Sequence, residues 1–389
     1  MIFKSAFAGS PDVSVIISGA LVDYTTITSV SVDISEHSHD IAVLTFNGLV
    51  PKAITDYVGA PVFISIATSP AAICSFYGYV AYNSPQSYSR AGLVNNSPFQ
   101  TAEVVCFGAS YEMKSIKNKA WANATIPSIV DDLAMAYNMS YSVPEDHFTW
   151  SHLVQTKQSD WSLLSNIVSS LGYGMTINGT HIHVYDPYKA IARQLPYVEL
   201  KTVRGAQGSP QYVPGALMEF NGTFGDITPD GTSNKFEFVG IDNAGNVIKT
   251  DTDEMWSELG ERVPSRFTDQ ITTNVSSIDM LSRFAKAKKK NTYPYNAVAI
   301  TTGIAEALPG SVAKLDNYDS NFDGYWLVRG VKHTVTRSNF VTELKLSTDS
   351  TSKSKPTVNP SAAYNLPPLP RLNTSDRWET SVEYNNVYV

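Results

Sequence analysis

The run Ser29-Val30-Ser31-Val32-Asp33-Ile34-Ser35 alternates polar and apolar residues without a break. A period of two places Val30, Val32 and Ile34 on one face of a strand and the polar residues on the other, a pattern that no helix buries. It commits this part of the chain to a half-buried β-sheet. Ile41–Phe46, Val62–Ile66, Ile73–Tyr82 and Thr101–Phe107 are further strand-like runs, with turn-rich Asn83-Ser84-Pro85 and Asn95-Asn96-Ser97-Pro98 between them. Short strands at this spacing predict a small barrel or sandwich over about 13–108.

The character changes near Ser110. Pro127 suits the first turn of a helix, and Ile126, Ile129, Val130, Leu133, Ala134 and Tyr137 follow at helical spacing. Asp131 and Asp132 are expected near the positive helix end. A second helix is signalled by Ser159 as N-cap, Asp160 in the first turn, the stripe Trp161, Leu164, Val168, Leu171, and Gly172 as the stop. A hairpin is expected next: Tyr173–Ile177, a primed Asn178-Gly179 turn, then Thr180–Tyr185, ended by Asp186-Pro187.

From about 196 the β pattern returns. Lys235–Ile241 alternates, Asp242–Asn246 turns, and Ser311–Leu315, Tyr325–Val335 and Phe340–Leu346 are strands. One helix interrupts over about 277–290, with Ile278, Leu281, Phe284 and Ala285 inward. From about 350 the chain is proline-rich and forbids helix or inner strand, so an extended arm is expected, carrying Leu366, Leu369, Trp378 and Tyr384. The fold class that follows is mainly β with an α+β insert: two tube-like β-barrel domains flank a helix-plus-hairpin α/β domain. The divisions are 1–110, 111–192, 193–349 and the arm 350–389.

Composition narrows the function. Charged residues are 17% of the 389, against about 25% in an ordinary soluble chain. With 21 tyrosines, this surface suits lasting contact with neighbours. A net charge of −7 supplies no basic footprint for reading nucleic acid. The start of the chain reads as neither signal peptide nor membrane anchor. Cys74 and Cys106 lie in strand-like runs and read as buried free thiols; whether they pair is left open.

Two stretches together resemble the phage baseplate hub proteins, the group of late control protein D and the base of type VI secretion spikes. The first is Gln155-Thr156-Lys157-Gln158-Ser159-Asp160-Trp161-Ser162-Leu163-Leu164, continuing through Leu171-Gly172-Tyr173 to Gly179 and Ile182-His183-Val184-Tyr185-Asp186. The second is Leu308-Pro309-Gly310-Ser311-Val312, then Gly324-Tyr325-Trp326-Leu327-Val328 and Val331-Lys332-His333. The order of parts is similar over about 10–350. The resemblance implies two tube-like barrels per chain, so that a homotrimer meets a six-fold tail tube or distal tail proteins above and a three-fold spike or fibre below. It carries over architecture and no catalytic residue.

Chemistry is weighed against packing. His181 and His183 share a strand face that could hold Zn²⁺, but no histidine has the aspartate four positions on that zinc endopeptidases of tails use. Glu36-His37-Ser38-His39-Asp40 reads as a polar turn, and Glu112 with Asp131 as a chance carboxylate pair. Trp161 reads as core, and Lys286, Lys288, Lys289 and Lys290 as a solvated helix end. No catalytic, cofactor-binding or metal residue is assigned.

The sequence thus predicts a non-enzymatic virion protein of the tail tip, assembled in the host bacterial cytoplasm, with DNA passing through its lumen without sequence-specific binding. The rival readings are a tail-associated peptidoglycan hydrolase and a receptor-binding tail protein.

Overall fold

The computed structural model describes residues 11–22, 26–47, 58–70, 72–88, 99–146, 148–193, 197–202, 213–224, 235–241, 245–251, 268–272, 278–291, 295–319 and 321–348. The arm after 350 and the Asn95–Pro98 turn lie outside the described residues.

The first β unit holds β1 (Asp12–Ile17), β2 (Ala20–Leu21), β3 (Ile27–Ser35), β4 (Ile41–Asn47), β5 (Pro61–Ser69), β6 (Ala72–Tyr88) and β7 (Phe99–Gly108). They pair in the order β2-β1-β5-β6-β7-β4-β3. The alternation read at Ser29–Ser35 points Val30, Val32 and Ile34 inward, onto Leu44, Ile64, Phe76 and Val104. Cys74 and Cys106 form no disulfide and are buried in this core. The sheet curls until β1 faces β3 across a shallow apolar crevice lined by Val13, Val15, Ile27 and Val30. Among the described residues no pairing joins those two strands, so this unit is an open roll.

The expected turn at Asn83-Ser84-Pro85 is instead strand. A bulge between Val80 and Tyr82 redirects β6, which then pairs with β7 as far as Tyr88↔Phe99. Its partner β5 stops earlier, at Pro61↔Tyr79. Among the described residues the second half of β6 therefore has a single strand partner, and such an edge accepts a proline like Pro85.

The middle unit runs β8 (Ile116–Ala124), α1 (Ile126–Ala136), β9 (Ser140–Ser142), β10 (Trp150–Ser159), α2 (Asp160–Ser170), β11 (Gly174–Asn178), β12 (His181–Tyr185) and α3 (Pro187–Arg193). Both predicted helices are present, and Ser159 caps α2 by accepting the Ser162 N–H at 3.1 Å. Leu133, Leu164, Val168 and Ile182 share one core. Three readings change. Asp131 and Asp132 fall past the first turn of α1, because the helix already starts at Ile126. The hairpin loop is Gly179-Thr180, since Asn178 pairs with His181. Gly179 takes φ 61° there, at the position a II′ turn reserves for glycine. The β8–β10 ribbon and α3 were not foreseen; Asp186-Pro187 opens a helix rather than simply ending the hairpin.

The second β unit holds β13 (Tyr197–Leu200), β14 (Leu217–Phe224), β15 (Lys235–Ile241), β16 (Val247–Asp251), β17 (Thr268–Thr272), α4 (Ile278–Asn291), β18 (Tyr295–Thr302), β19 (Val312–Leu315), β20 (Gly324–Thr336) and β21 (Phe340–Thr348). Pairing runs β14-β18-β21-β20-β19-β13 around Trp326, Val328, Leu315 and Leu344. A single isolated bridge, Lys201↔Ala216, completes the circuit; Lys201 N–H donates to the Gly215 carbonyl at 2.8 Å and Leu217 N–H to that of Lys201 at 2.9 Å. β15 leaves this circuit and forms its own sheet with β16 and β17, packed on α4 through Phe238, Leu281 and Ala285. Ile278, expected inward, is 49% exposed. The side chains of Lys286, Lys288, Lys289 and Lys290 lie outside the described residues.

The chain is mainly β with an α+β insert, as predicted. The two β units are fused edge to edge: β3 pairs antiparallel with β20 from Gly330↔Ser35 to Thr336↔Ser29, making one continuous sheet.

Candidate functional site at the junction of the units

The β3–β4 turn sits where all three units meet. Glu36 N–H donates to the Arg329 carbonyl and His37 N–H to the Met175 carbonyl, both at 2.9 Å. His37 takes φ 54°, a left-handed value that aims the turn at the hairpin. The Glu36 carboxylate receives Arg329 at 2.5 Å and the Tyr185 hydroxyl at 2.9 Å, which ties β20 and β12 to one side chain. A Cβ on Gly174 would stand 2.2 Å from Glu36 Oε1, so glycine admits the carboxylate here.

The rest of the turn docks the same way. His37 Nδ1 lies 3.2 Å from Ser165 Oγ on α2, and His39 Nδ1 2.8 Å from Ser110 Oγ. The His39 ring lies 4.4 Å from that of Trp161. Burial lowers the pKa of His37, against the pull of Glu36, and takes that of His39 to about 4 with help from Lys114. Both act as neutral hydrogen-bonding rings at neutral pH. Burial, reinforced by Asp33, pushes Asp40 well above the usual carboxylate range and favours its neutral acid. The cluster that reads as a polar turn in the sequence is a packed joint.

Asp160 also exceeds its expected role. It is 1% exposed and accepts from Lys117 at 2.7 Å, Tyr137 at 2.6 Å and Gln155 at 2.8 Å. Burial acts to raise its pKa, but these bonds hold it below the usual carboxylate range. Asp160 thereby fastens β8, β10 and α1 to the start of α2. Of the motif residues, Gln155 bonds Asp160 directly, Ser159 caps the same helix, and Trp161 packs on His39.

His181 and His183 are committed to serines. Ser140 Oγ lies 2.8 Å from His181 Nδ1, and Ser142 Oγ bridges His181 Nε2 at 3.0 Å and His183 Nδ1 at 2.7 Å. Among the described residues no group of three His, Cys, Asp or Glu side chains is placed to hold a metal ion. Glu112 hydrogen-bonds Tyr79 while Asp131 hydrogen-bonds Tyr141, so that carboxylate pair is engaged separately.

The continuous sheet turns one face to the cores; the middle unit meets the other at Tyr77, and much of the rest has no covering element among the described residues. On the open face Lys332 stands directly opposite both Asp33 and Glu343, a row of alternating charge across the β3–β20 seam. Serines and threonines flank it: Ser31 lies opposite Thr334, and Ser29 opposite Thr336. None of the helices among the described residues is long and apolar enough to cross a membrane.

Neither a protein-family model nor a curated protein matches the sequence. Solved structures do match. The 43 kDa tail protein of prophage MuSo2 from Shewanella oneidensis superposes with TM-score 0.63 at 12% identity, covering 87% of this chain and 99% of that one. A tail protein from Neisseria meningitidis gives 0.63 at 13%, over 87% and 97%. An Escherichia coli type VI secretion component, described as structurally similar to T4 tail proteins, gives 0.52 at 11%, over 86% and 77%. At such identities the likeness is one of fold: this chain has the fold of phage tail proteins that is shared with a type VI secretion component.

Proposed function

We propose that this chain is a structural hub subunit of a phage tail tip. It forms a homotrimeric ring that meets the hexameric tail tube or distal tail proteins above and a spike or fibre below. The observation that carries the reading is the run β6-β7-β4-β3-β20-β21-β18-β14, eight strands paired antiparallel throughout, four from each β unit. Its ends are the second half of β6, which has one strand partner among the described residues, and β14, whose outer side carries among the described residues only the bridge at Ala216 and the Leu217–Lys201 bond at its start. An even number of alternating strands leaves those ends in opposite directions, so β14 of one copy fits antiparallel against β6 of the next. Three copies joined head to tail make a ring of twenty-four strands with no edge left open. Six similar four-stranded segments of that ring reconcile a three-membered assembly with a six-fold tube.

The same reading assigns the open face to the channel wall. Hydroxyls and balanced charges such as Asp33, Lys332 and Glu343 let DNA slide without holding it, in keeping with the net charge of −7. It divides the chain at 1–110, 111–192, 193–349 and 350–389; the separate cores of the two β units and the middle unit support the first three pieces. The protein works by assembly and opening rather than by bond chemistry, and belongs to the virion after assembly in the host bacterial cytoplasm.

Native mass spectrometry of the purified chain tests the ring. The expected species is three times 42.5 kDa, lost to monomer in Met218→Asp, which places a charge on an exposed position of the β14 edge. A wild-type chain that stays monomeric at tens of micromolar, alone and with tube protein, would overturn the proposal.

A further inference from the structure

The open face is not uniformly polar. Over the first β unit Phe107 stands directly opposite Ile41 on β4 and Tyr79 on β6, forming an apolar row across three strands. Tyr111 stacks on Phe107 with ring centroids 4.6 Å apart, and Tyr82 follows along the same face of β6 after the bulge. Tyr82, Tyr111 and Ile41 are 52%, 41% and 37% exposed. The turn Ala109–Lys114 covers part of the row, with Lys114 Nζ 4.3 Å from the Tyr111 ring centre, and the exposed Tyr82, Tyr111 and Ile41 beside it mark a contact site.

One stretch of this chain has the matching chemistry. Residues 356–370 carry five prolines and no charge, and end in Asn365-Leu366-Pro367-Pro368-Leu369-Pro370. Proline fixes such a stretch near the polyproline II form, whose carbonyls make no internal hydrogen bonds. Surfaces lined by aromatic rings take these segments: the prolines and leucines lie on the rings while tyrosine hydroxyls donate to the free carbonyls. A sequence so rich in proline has little backbone freedom to lose on docking.

The position of Thr348 makes the encounter intramolecular. β21 ends at the same end of the sheet as the Ile41–Phe107 row, since Ser347 pairs with Leu327 beyond the Gly330↔Ser35 pair. Strand spacings and rises put the end of β21 about 20 Å across and about 20 Å along from Phe107. The sixteen residues 349–364 span up to about 50 Å when extended. A tether of that length keeps the segment at roughly millimolar effective concentration over the patch.

We propose that Asn365–Pro370 of each chain docks on the aromatic row Ile41, Tyr79, Tyr82, Phe107 and Tyr111 of the same chain. This goes beyond the hub reading: the row continues the Lys332–Asp33 pair on the face assigned there to the channel wall, so in a ring the segment lies along that wall, while its docking is scored within one polypeptide.

The test uses the full chain carrying Val43→Cys, which lies beside Ile41 on the open face, and Asn365→Cys. The native Cys74 and Cys106 are buried, and burial pushes the Cys106 thiol up to about 12, which keeps it out of reaction with a bismaleimide. The expected result is a crosslink within one chain, mapped by peptide mass, with a yield independent of protein concentration. Adding Leu366→Asp and Leu369→Asp should cut that yield at least five-fold. Without any cysteine change, the same two substitutions should speed amide exchange around Tyr79–Tyr82 and Phe107–Tyr111 several-fold. Absence of the crosslink, unchanged exchange, or crosslinks formed only between chains bearing one cysteine each would overturn the proposal. None of these outcomes alters the trimer measurement.

Discussion

The Arg329 guanidinium lies 2.5 Å from the Glu36 carboxylate, joining residues 293 positions apart at the point where β3 and β20 fuse the two halves of the sheet. Their side chains are only 21% and 8% exposed, and Tyr185 donates to the same carboxylate from the hairpin. Removing one partner of such a pair leaves a charge with poor access to water, which costs about 3–5 kcal/mol when burial is complete. Arg329 keeps some solvent, so Arg329→Met is expected to cost roughly 2–3 kcal/mol. Tyr185→Phe removes one hydrogen bond to a charged group and should cost about 1–2 kcal/mol. Thermal midpoints of the full chain check the ranking; a Tyr185→Phe loss equal to that of Arg329→Met would mean that the guanidinium is not what holds the joint.

Acid should loosen the same seam. His333 is fully buried between β3 and β21, its Nδ1 3.0 Å from Thr342 Oγ1. Burial lowers its pKa to about 4, a cost only partly relieved by a backbone hydrogen bond with Ala307. The unfolded chain takes up the proton below about 6.5, the folded chain only near 4. Stability is therefore full above pH 6.5, falls between pH 6.5 and 4, and levels off below. The loss from this one ring is on the order of 3 kcal/mol. His183, also lowered to about 4 by burial, acts in the same window. A His333→Gln chain should show a shallower fall of thermal midpoint across that window; an unchanged slope would place the acid sensitivity elsewhere.

The sequence made the fold legible where one rule governed each residue. The alternation at Ser29–Ser35 and the stripe at Trp161–Leu171 were read correctly because burial of one face explains every position in them. The β8–β10 ribbon was not legible, because both strands are mostly exposed and carry no apolar alternation. Strand at Asn83–Pro85 was hidden by residues that signal turns, and becomes intelligible only once that half of β6 is seen to have one neighbour. The joint at Glu36–Asp40 looked like a solvated turn since its partners, Arg329, Tyr185, Ser165 and Ser110, are supplied from afar. Charge in a turn reports exposure only when nothing distant packs on it.

Asp160 offers a sharper contrast between a buried and an exposed partner. Asp160→Asn keeps the shape but gives up a charge that accepts from Lys117, Tyr137 and Gln155 at once. Loss of charge-assisted bonds at a buried site should cost about 2–3 kcal/mol. Lys117 has a side chain 42% exposed, and Lys117→Met should cost under about 1 kcal/mol. Denaturant midpoints decide; equal losses would show that the ion pair rather than the whole knot holds α2 in place.

The hydrolase alternative makes a prediction of its own through His181. A zinc endopeptidase needs ring nitrogens free to bind metal, whereas both nitrogens of His181 and Nδ1 of His183 face serine hydroxyls. The expected zymogram of the purified chain on peptidoglycan is blank, with and without added Zn²⁺. His181→Ala should leave it blank and lower the thermal midpoint by only a few degrees, because β9 still pairs with β12 through Ile182↔Tyr141 and His183↔Ser142. Zinc-dependent clearing that vanishes in His181→Ala would mean that the serine ladder opens to admit metal, and the hairpin would then be a catalytic element rather than a structural one.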